Sequence, residues 1–292
     1  MLNDRMRNFG VPEMNSPQWL SDYARSVASQ FGEDGIIEKA LEIIGQTDGW
    51  CVEFGAWDGK HFSNTFHLID RKGYSAVLIE SDPQKFRALK QNYQGNPKVH
   101  CICQLVRTEP PYHIDAILAP IQIPRDFDVL SIDIDGCDFH VWQAMGYYRP
   151  KIIVIEYNPT IPNSIDFVQP NDFNLTQGCS LRALVRLARS KDYELIAVTT
   201  ANGIFVDRKY FRNFGIDRNS PEDMRTDDST ITYLFTGYDG TVFLAGNRQM
   251  LWHNIPMTEK KSQQLPKALR QFPDRYNWWK RILARFYFSI RK

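Results

Sequence analysis

The chain has 292 residues, 43% of them apolar and 13% aromatic, which is ample for a packed core and excludes a disordered or low-complexity protein. A net charge of +1 hides an asymmetry: residues 259–292 carry +8 and the remainder −7, so the two parts face different partners. Five cysteines, Cys51, Cys101, Cys103, Cys137 and Cys179, form no C-x-x-C pair and are odd in number, which points to reduced thiols in a cytoplasmic protein and not to a disulfide scaffold.

In chain order, residues 1–15 lack the apolar core of a signal peptide, and no later run reaches the length of a membrane span, so neither export nor a transmembrane anchor is expected. Residues to about Asp48 read as helical, most clearly Glu33 to Gly45, where Ile36, Ile37, Ala40, Leu41, Ile43 and Ile44 fall at helical spacing. The stretch Trp50 to Asp82 then reads as strand, glycine turn, helix, strand. Each strand ends in a carboxylate, Glu53 and Glu80, the second followed by Ser81. Gly55 and Gly59 mark a turn that needs positive φ or close approach of backbone to a ligand, with Ala56 between them.

The spacing E-x-G-x-x-x-G is not the G-x-G-x-x-G that cradles a pyrophosphate. An acid ahead of the glycines suits a ligand with positive charge, such as the ammonium and sulfonium of S-adenosylmethionine, and repels phosphate. Glu80, at the end of the second strand, suits the two hydroxyls of a ribose. Asp82 and Pro83 start a helix running to about Tyr93. Further strands are expected at Lys98 to Val106, Phe127 to Asp133, Lys151 to Glu156, Leu195 to Thr199 and Gly203 to Val206, the last two antiparallel. Helices are expected at Ile114 to Leu118, Asp138 to Met145 and Ser180 to Arg189. This alternation predicts an α/β fold: a doubly wound, mostly parallel seven-stranded sheet with helices on both faces.

In such sheets ligands bind beyond the carboxyl ends of the strands. The densest chemistry there is SIDIDGCDFHVW. Asp133 and Asp135 share a face of an extended segment, and Asp138 and His140 stand at a helix start. Two roles fit. Asp133, Asp135 and Asn158 form a hard-oxygen set suited to Mg²⁺ or another divalent cation. Alternatively Asp133 contacts the cofactor while Asp135, His140 or Glu156 serves as general base for a hydroxyl acceptor.

The segments VEFGAWDG, LIESDP, SIDIDGCDFHVW and IEYNP, preceded by SQFGEDG and followed by QGCSLRALVRLARSKDYELI and NGIFV, resemble the FkbM-type branch of class I S-adenosylmethionine-dependent methyltransferases from about Ser29 to Val206. The resemblance implies a Rossmann-like fold and O-methylation of a sugar, glycan or other small hydroxylated product. Two rivals are weaker. Tyr147 and Lys151 spell the Y-x-x-x-K of NAD-dependent dehydrogenases, but Pro150 breaks the helix that motif requires. Glu109, Pro110, Pro111 and Tyr112 approximate a nucleic-acid methylase motif after the wrong strand, so no nucleic-acid partner is expected. A non-catalytic adaptor that binds the cofactor or a glycan is the remaining alternative.

Residues 211–229 are polar and poor in pattern and read as a surface insertion, followed by a hairpin over Thr230 to Phe235 and Thr241 to Leu244. The segment Asn277 to Lys292 places Trp278, Ile282 and Phe286 in one stripe with Trp279, Leu283 and Ile290 beside it. Lys280, Arg281, Arg285, Arg291 and Lys292 lie on the other side. A Trp-rich apolar face backed by bases suits an anionic membrane surface at the inner face of the membrane. The stripe equally suits docking on the protein's own sheet or on a second subunit of a homo-oligomer. The expected organisation is thus a helical segment (1–48), a methyltransferase-like core (49–210), an insertion with hairpin (211–256) and a basic aromatic tail (257–292).

Overall fold

The computed structural model describes residues 16–290; the first fifteen residues and the tail bases Arg291 and Lys292 lie outside the described residues. The chain divides into two compact units, one ending at Thr226 and one spanning Asp227–Lys292.

In the first unit, helix α1 (Glu33–Ile44) precedes β1 (Trp50–Phe54), α2 (Phe66–Lys72), β2 (Ser75–Glu80), α3 (Pro83–Asn92) and β3 (Val99–Cys103). Then come α4 (Ile114–Leu118), β4 (Val129–Ile132), α5 (Asp138–Ala144), β5 (Ile152–Glu156), α6 (Leu181–Ser190), β6 (Tyr193–Val198) and β7 (Asn202–Asp207). The seven strands lie in the order β3-β2-β1-β4-β5-β7-β6, parallel except for β7, which runs antiparallel to both neighbours. This is the expected doubly wound, mostly parallel Rossmann-like sheet. The chain winds outward from β1 to β3 and then returns to place β4 on the other side of β1, which makes the β1/β4 pair the switch point where such sheets bind ligands.

Residue type explains why the centre is a sheet. β4 and β5 consist almost wholly of buried Val, Ile and Leu, as strands covered on both faces must. Alternation then splits the core. Val52, Phe54, Leu130, Ile132, Ile153 and Ile155 pack beneath Leu118, Trp142 and Leu184 of α4, α5 and α6. On the other face Cys51, Val129, Ile152 and Val154 meet Ile36 and Ile37 of α1 and Leu68 and Leu89 of α2 and α3. Helix starts follow their caps: Asp82 accepts from the amides of Gln84 (2.6 Å) and Lys85 (3.0 Å) ahead of α3, and Ser180 from Ala183 (3.2 Å) ahead of α6. At the amino ends of the strands, buried Lys151 bridges Asp128 (2.6 Å) and Asp48 (2.7 Å).

The first compact unit runs to Thr226, past the residue 210 expected for the end of the core. Short helices α7 (Arg208–Phe211) and α8 (Pro221–Met224) follow β7, and Phe214, Ile216 and Met224 are buried in the same core. Three apolar anchors so far apart leave no period in the sequence, which is why the segment reads as surface. Arg225 is buried as well, donating to the carbonyls of Ile161 (2.9 Å) and Pro159 (2.5 Å).

The second unit holds the expected hairpin, β8 (Thr232–Thr236) against β9 (Val242–Gly246), with Phe235 stacked on its cross-strand neighbour Phe243 at 5.4 Å. Helices α9 (Glu259–Ser262) and α10 (Trp278–Ile290) complete it. Among the described residues no helix is long and apolar enough to cross a membrane, and all five cysteines are free thiols.

Candidate functional site

The rim beyond β1, β2, β4 and β5 gathers the expected residues, but it uses several of them differently than their spacing suggests. Gly55 follows β1 with φ +75°, and a Cβ there would lie 1.6 Å from the backbone oxygen of Asp133. The glycine therefore serves close approach of the β1 turn to the β4 turn. Gly59 (φ +74°) faces inward, where a Cβ would meet Tyr93 at 2.5 Å and Leu89 at 2.6 Å, so it seats the turn on α3. Between them, buried Ala56 donates its amide to the carbonyl of Ile79 at the end of β2 (3.1 Å).

Glu53 is buried and fully engaged. Its carboxylate accepts from the Ser63 hydroxyl (2.6 Å), the Thr65 hydroxyl (2.7 Å) and the Asn64 amide (2.9 Å). Burial pushes its pKa up, against the downward pull of those hydrogen bonds. The carboxylate acts on the buried loop after the glycine turn. Glu80, also buried, accepts from the amides of Trp57 (2.8 Å) and Asp82 (2.7 Å), while Ser81 beside it is exposed. Two hydrogen bonds leave acceptor capacity on a carboxylate for ligand hydroxyls.

An aromatic border absent from the sequence reading adjoins Glu80. Trp57 and Phe62 are exposed and hold positive φ (48° and 57°), and His61 packs between them with ring centroids at 5.2 and 3.9 Å. Lys85 lies over the Trp57 ring at 4.5 Å. Such residues at positive φ are uncommon and collect at functional turns, but nothing in their type announces that conformation.

The acids after β4 and β5 converge. Ligand-capable oxygens of Asp133, Asp135 and Glu156 all lie within 4.8 Å of one another. Asp135 is held at φ 58° by a turn that buried Asp138 ties together, accepting from the amides of Ile134 (2.8 Å) and Gly136 (2.9 Å). Burial raises Asp138 to about 6. Asp133 is raised too, first by the protein packed around its carboxyl although part of the residue reaches solvent, then by the charges of Asp138 and Asp135. Glu156 is raised most by burial and next by Asp133. At Asp133 and Glu156 burial and neighbouring charge both oppose ionisation, so negative charge gathered here favours a cation over a phosphate.

Two expected members stand apart. Asn158 accepts from the Thr160 amide (3.0 Å) and hydroxyl (2.6 Å) and donates to the Gln177 carbonyl (3.0 Å), so Glu156 takes its place in the acidic set. His140 puts Nε2 on the carbonyl of Gln169 (2.8 Å) and does not join the carboxylates. Gln169 itself was not anticipated. It accepts from the amides of Gln177 and Gly178 (both 2.8 Å), fixing the loop that packs on Gly136. The SQFGEDG and NGIFV segments meet beside this rim. Buried Glu33 accepts from the Asn202 side chain (2.9 Å) and the Thr199 hydroxyl (2.6 Å), and Asn202 pairs with Glu156 across β5 and β7. Asp34 is a local clasp, accepting from the amides of Val27, Ala28 and Ser29.

No protein-family model matches the chain, and no curated protein matches it. Similar solved structures include the MccD protein, at 10% identity over 55% of this chain and 71% of that one with a TM-score of 0.36. Another is the N-terminal domain of EvdMO1 in the presence of SAH and D-fucose, at 12% identity, 59% and 82% coverage and a TM-score of 0.36. A third is the glycopeptide N-methyltransferase MtfA complexed with S-adenosyl-L-methionine, at 10% identity, 63% and 88% coverage and a TM-score of 0.34. At such values the fold assignment rests on the strand order itself.

Proposed function

We propose that the protein is an S-adenosylmethionine-dependent O-methyltransferase acting on a hydroxyl of a sugar, glycan or other small hydroxylated acceptor. The observation that carries the reading is the convergence of Asp133, Asp135 and Glu156 at the switch-point rim, beside the β1 turn and one strand from Glu80. The cofactor fits the donor set: Glu80 retains acceptor capacity for a ribose, and the acidic cluster favours a ligand bearing ammonium and sulfonium charge over a phosphate. When bound, adenosylmethionine supplies an activated methyl group. Within the protein, an ionised carboxylate of the Asp133, Asp135 and Glu156 cluster takes the proton of an acceptor hydroxyl, and because burial and mutual repulsion raise Asp133 and Glu156, their ionised fraction grows as pH rises. The resemblance to FkbM-type enzymes favours oxygen as the acceptor atom.

A second reading rests on the same three carboxylates, whose mutual spacing suits a divalent cation that would lower the hydroxyl pKa in place of a protein base. The test is calorimetry with adenosylmethionine and S-adenosylhomocysteine, followed by a methyl-transfer screen on sugars and glycosides. Glu80→Ala should weaken binding by about 1.5 to 3 kcal/mol. Absence of binding by the wild type defeats the proposal, and binding without transfer to any hydroxylated acceptor leaves a non-catalytic module.

A further inference from the structure

The second unit is unusual in what it shows to solvent. Sixteen of the twenty-four large apolar side chains exposed among the described residues belong to it, although it is under a quarter of the chain. Single exposed apolar residues need no explanation, but a concentration of them marks an interaction surface.

Helix α10 shows how that surface is built. It packs on its own unit through a narrow side: Ala284 is its one buried residue, the Tyr287 hydroxyl bonds the carbonyl of Gln264, and Lys280 reaches the Gln271 side chain (2.6 Å). Helical spacing sets the wide stripe of Trp278, Ile282, Phe286, Trp279, Ile290 and Leu283 away from Ala284. Each is between 44% and 67% exposed, so the stripe is not used for packing within its own unit. The two indoles stack on each other at 3.7 Å. Arg281 and Arg285 are exposed and flank the stripe, and residues 227–292 carry a net +6 against −5 for the rest.

We propose that the second unit docks on an anionic lipid surface, with the α10 stripe entering the interface and Arg281 and Arg285 lying at headgroup level. Charge decides between this and a second copy of the chain. Two copies would bring like-charged helices together, whereas an anionic bilayer complements the bases, and tryptophan favours the boundary between water and lipid. The inference does not depend on the catalytic reading.

The full chain should co-sediment with phosphatidylcholine vesicles containing phosphatidylglycerol, weakly with phosphatidylcholine alone, and less as salt rises. Replacing both arginines (Arg281→Gln with Arg285→Gln) should weaken binding roughly thirtyfold. Trp279→Ala with Phe286→Ala should also weaken it strongly, and because these side chains face solvent, both double variants should keep the wild-type melting temperature. Failure of the wild type to bind anionic vesicles overturns the proposal. So does concentration-dependent dimerisation that the Trp279→Ala, Phe286→Ala variant abolishes in the absence of any vesicle binding.

Discussion

Gly55 and Asp133 are in closer backbone contact than any other residue type at position 55 would allow, since a Cβ would stand 1.6 Å from the Asp133 carbonyl oxygen. The two residues join the β1 turn to the β4 turn, so the glycine governs where the acidic cluster sits. Gly55→Ala should therefore cost more than positive φ alone, which is about 1 to 2 kcal/mol. Gly49→Ala is the control, because Gly49 has φ +74° with nothing within 4 Å of its virtual Cβ. Urea unfolding of both variants should show the larger loss at position 55; equal losses would remove the close-approach argument.

Glu33 and Asn202 are 169 residues apart and bonded at 2.9 Å inside the protein. Asn202→Ala strands part of a buried carboxylate and should cost about 1 to 3 kcal/mol. A double-mutant cycle with Glu33→Gln should return a coupling of roughly 0.5 to 3 kcal/mol. Additive losses would mean that the two segments are held in place by packing alone.

The strands, helices and mostly parallel sheet were readable because their signals are local: apolar strand runs, the Asp82-Pro83 helix start and glycines at the first turn. Convergence of Glu53, Glu80, Asp133 and Glu156 on one rim also follows from strand ends in a parallel sheet. What spacing could not show is which of these acids the protein uses for itself. Glu53 is taken by Ser63, Asn64 and Thr65, and Asn158 by Thr160 and Gln177, partners fixed by loop conformation. Trp57 and Phe62 escaped notice for the same reason, since their placement depends on φ values that their residue type disfavours. The 211–226 segment failed differently: its burial rests on isolated anchors such as Phe214, with no periodicity to reveal them.

Lys151 supplies a test far from the rim. Burial opposes its charge, but hydrogen bonds to Asp128 and Asp48 outweigh that and raise its pKa. Lys151→Met leaves Asp128 buried without its cation and should cost about 3 to 5 kcal/mol near neutral pH. A raised lysine pKa means the contribution is whole below the unfolded value and is lost as pH rises through the folded one. The gap between wild type and variant should accordingly narrow only in strongly alkaline solution.

The acidic cluster behaves in the opposite sense. Glu156 has a raised pKa, so the folded protein holds its proton longer than the unfolded chain does. Its favourable contribution is present below the ordinary carboxylate value and is lost as pH rises through the folded pKa. Glu156→Gln keeps the shape and removes the charge. The variant should be more stable than wild type at about pH 8, by roughly 1 to 2 kcal/mol, with the advantage shrinking toward about pH 4. Thermal melts across that range check the sign, and a variant less stable at alkaline pH would show that Glu156 is stabilised by its surroundings rather than strained by them. The same melts separate the two catalytic readings. Magnesium that stabilises wild type at about pH 8, does little at about pH 5 and leaves Glu156→Gln unaffected would favour the cation, because protonated acids are poor ligands. No response at either pH would leave an ionised carboxylate of the cluster as the proton acceptor; the rate of methyl transfer should then rise with pH, and Glu156→Gln should lower it by about a hundredfold or more while cofactor affinity changes little.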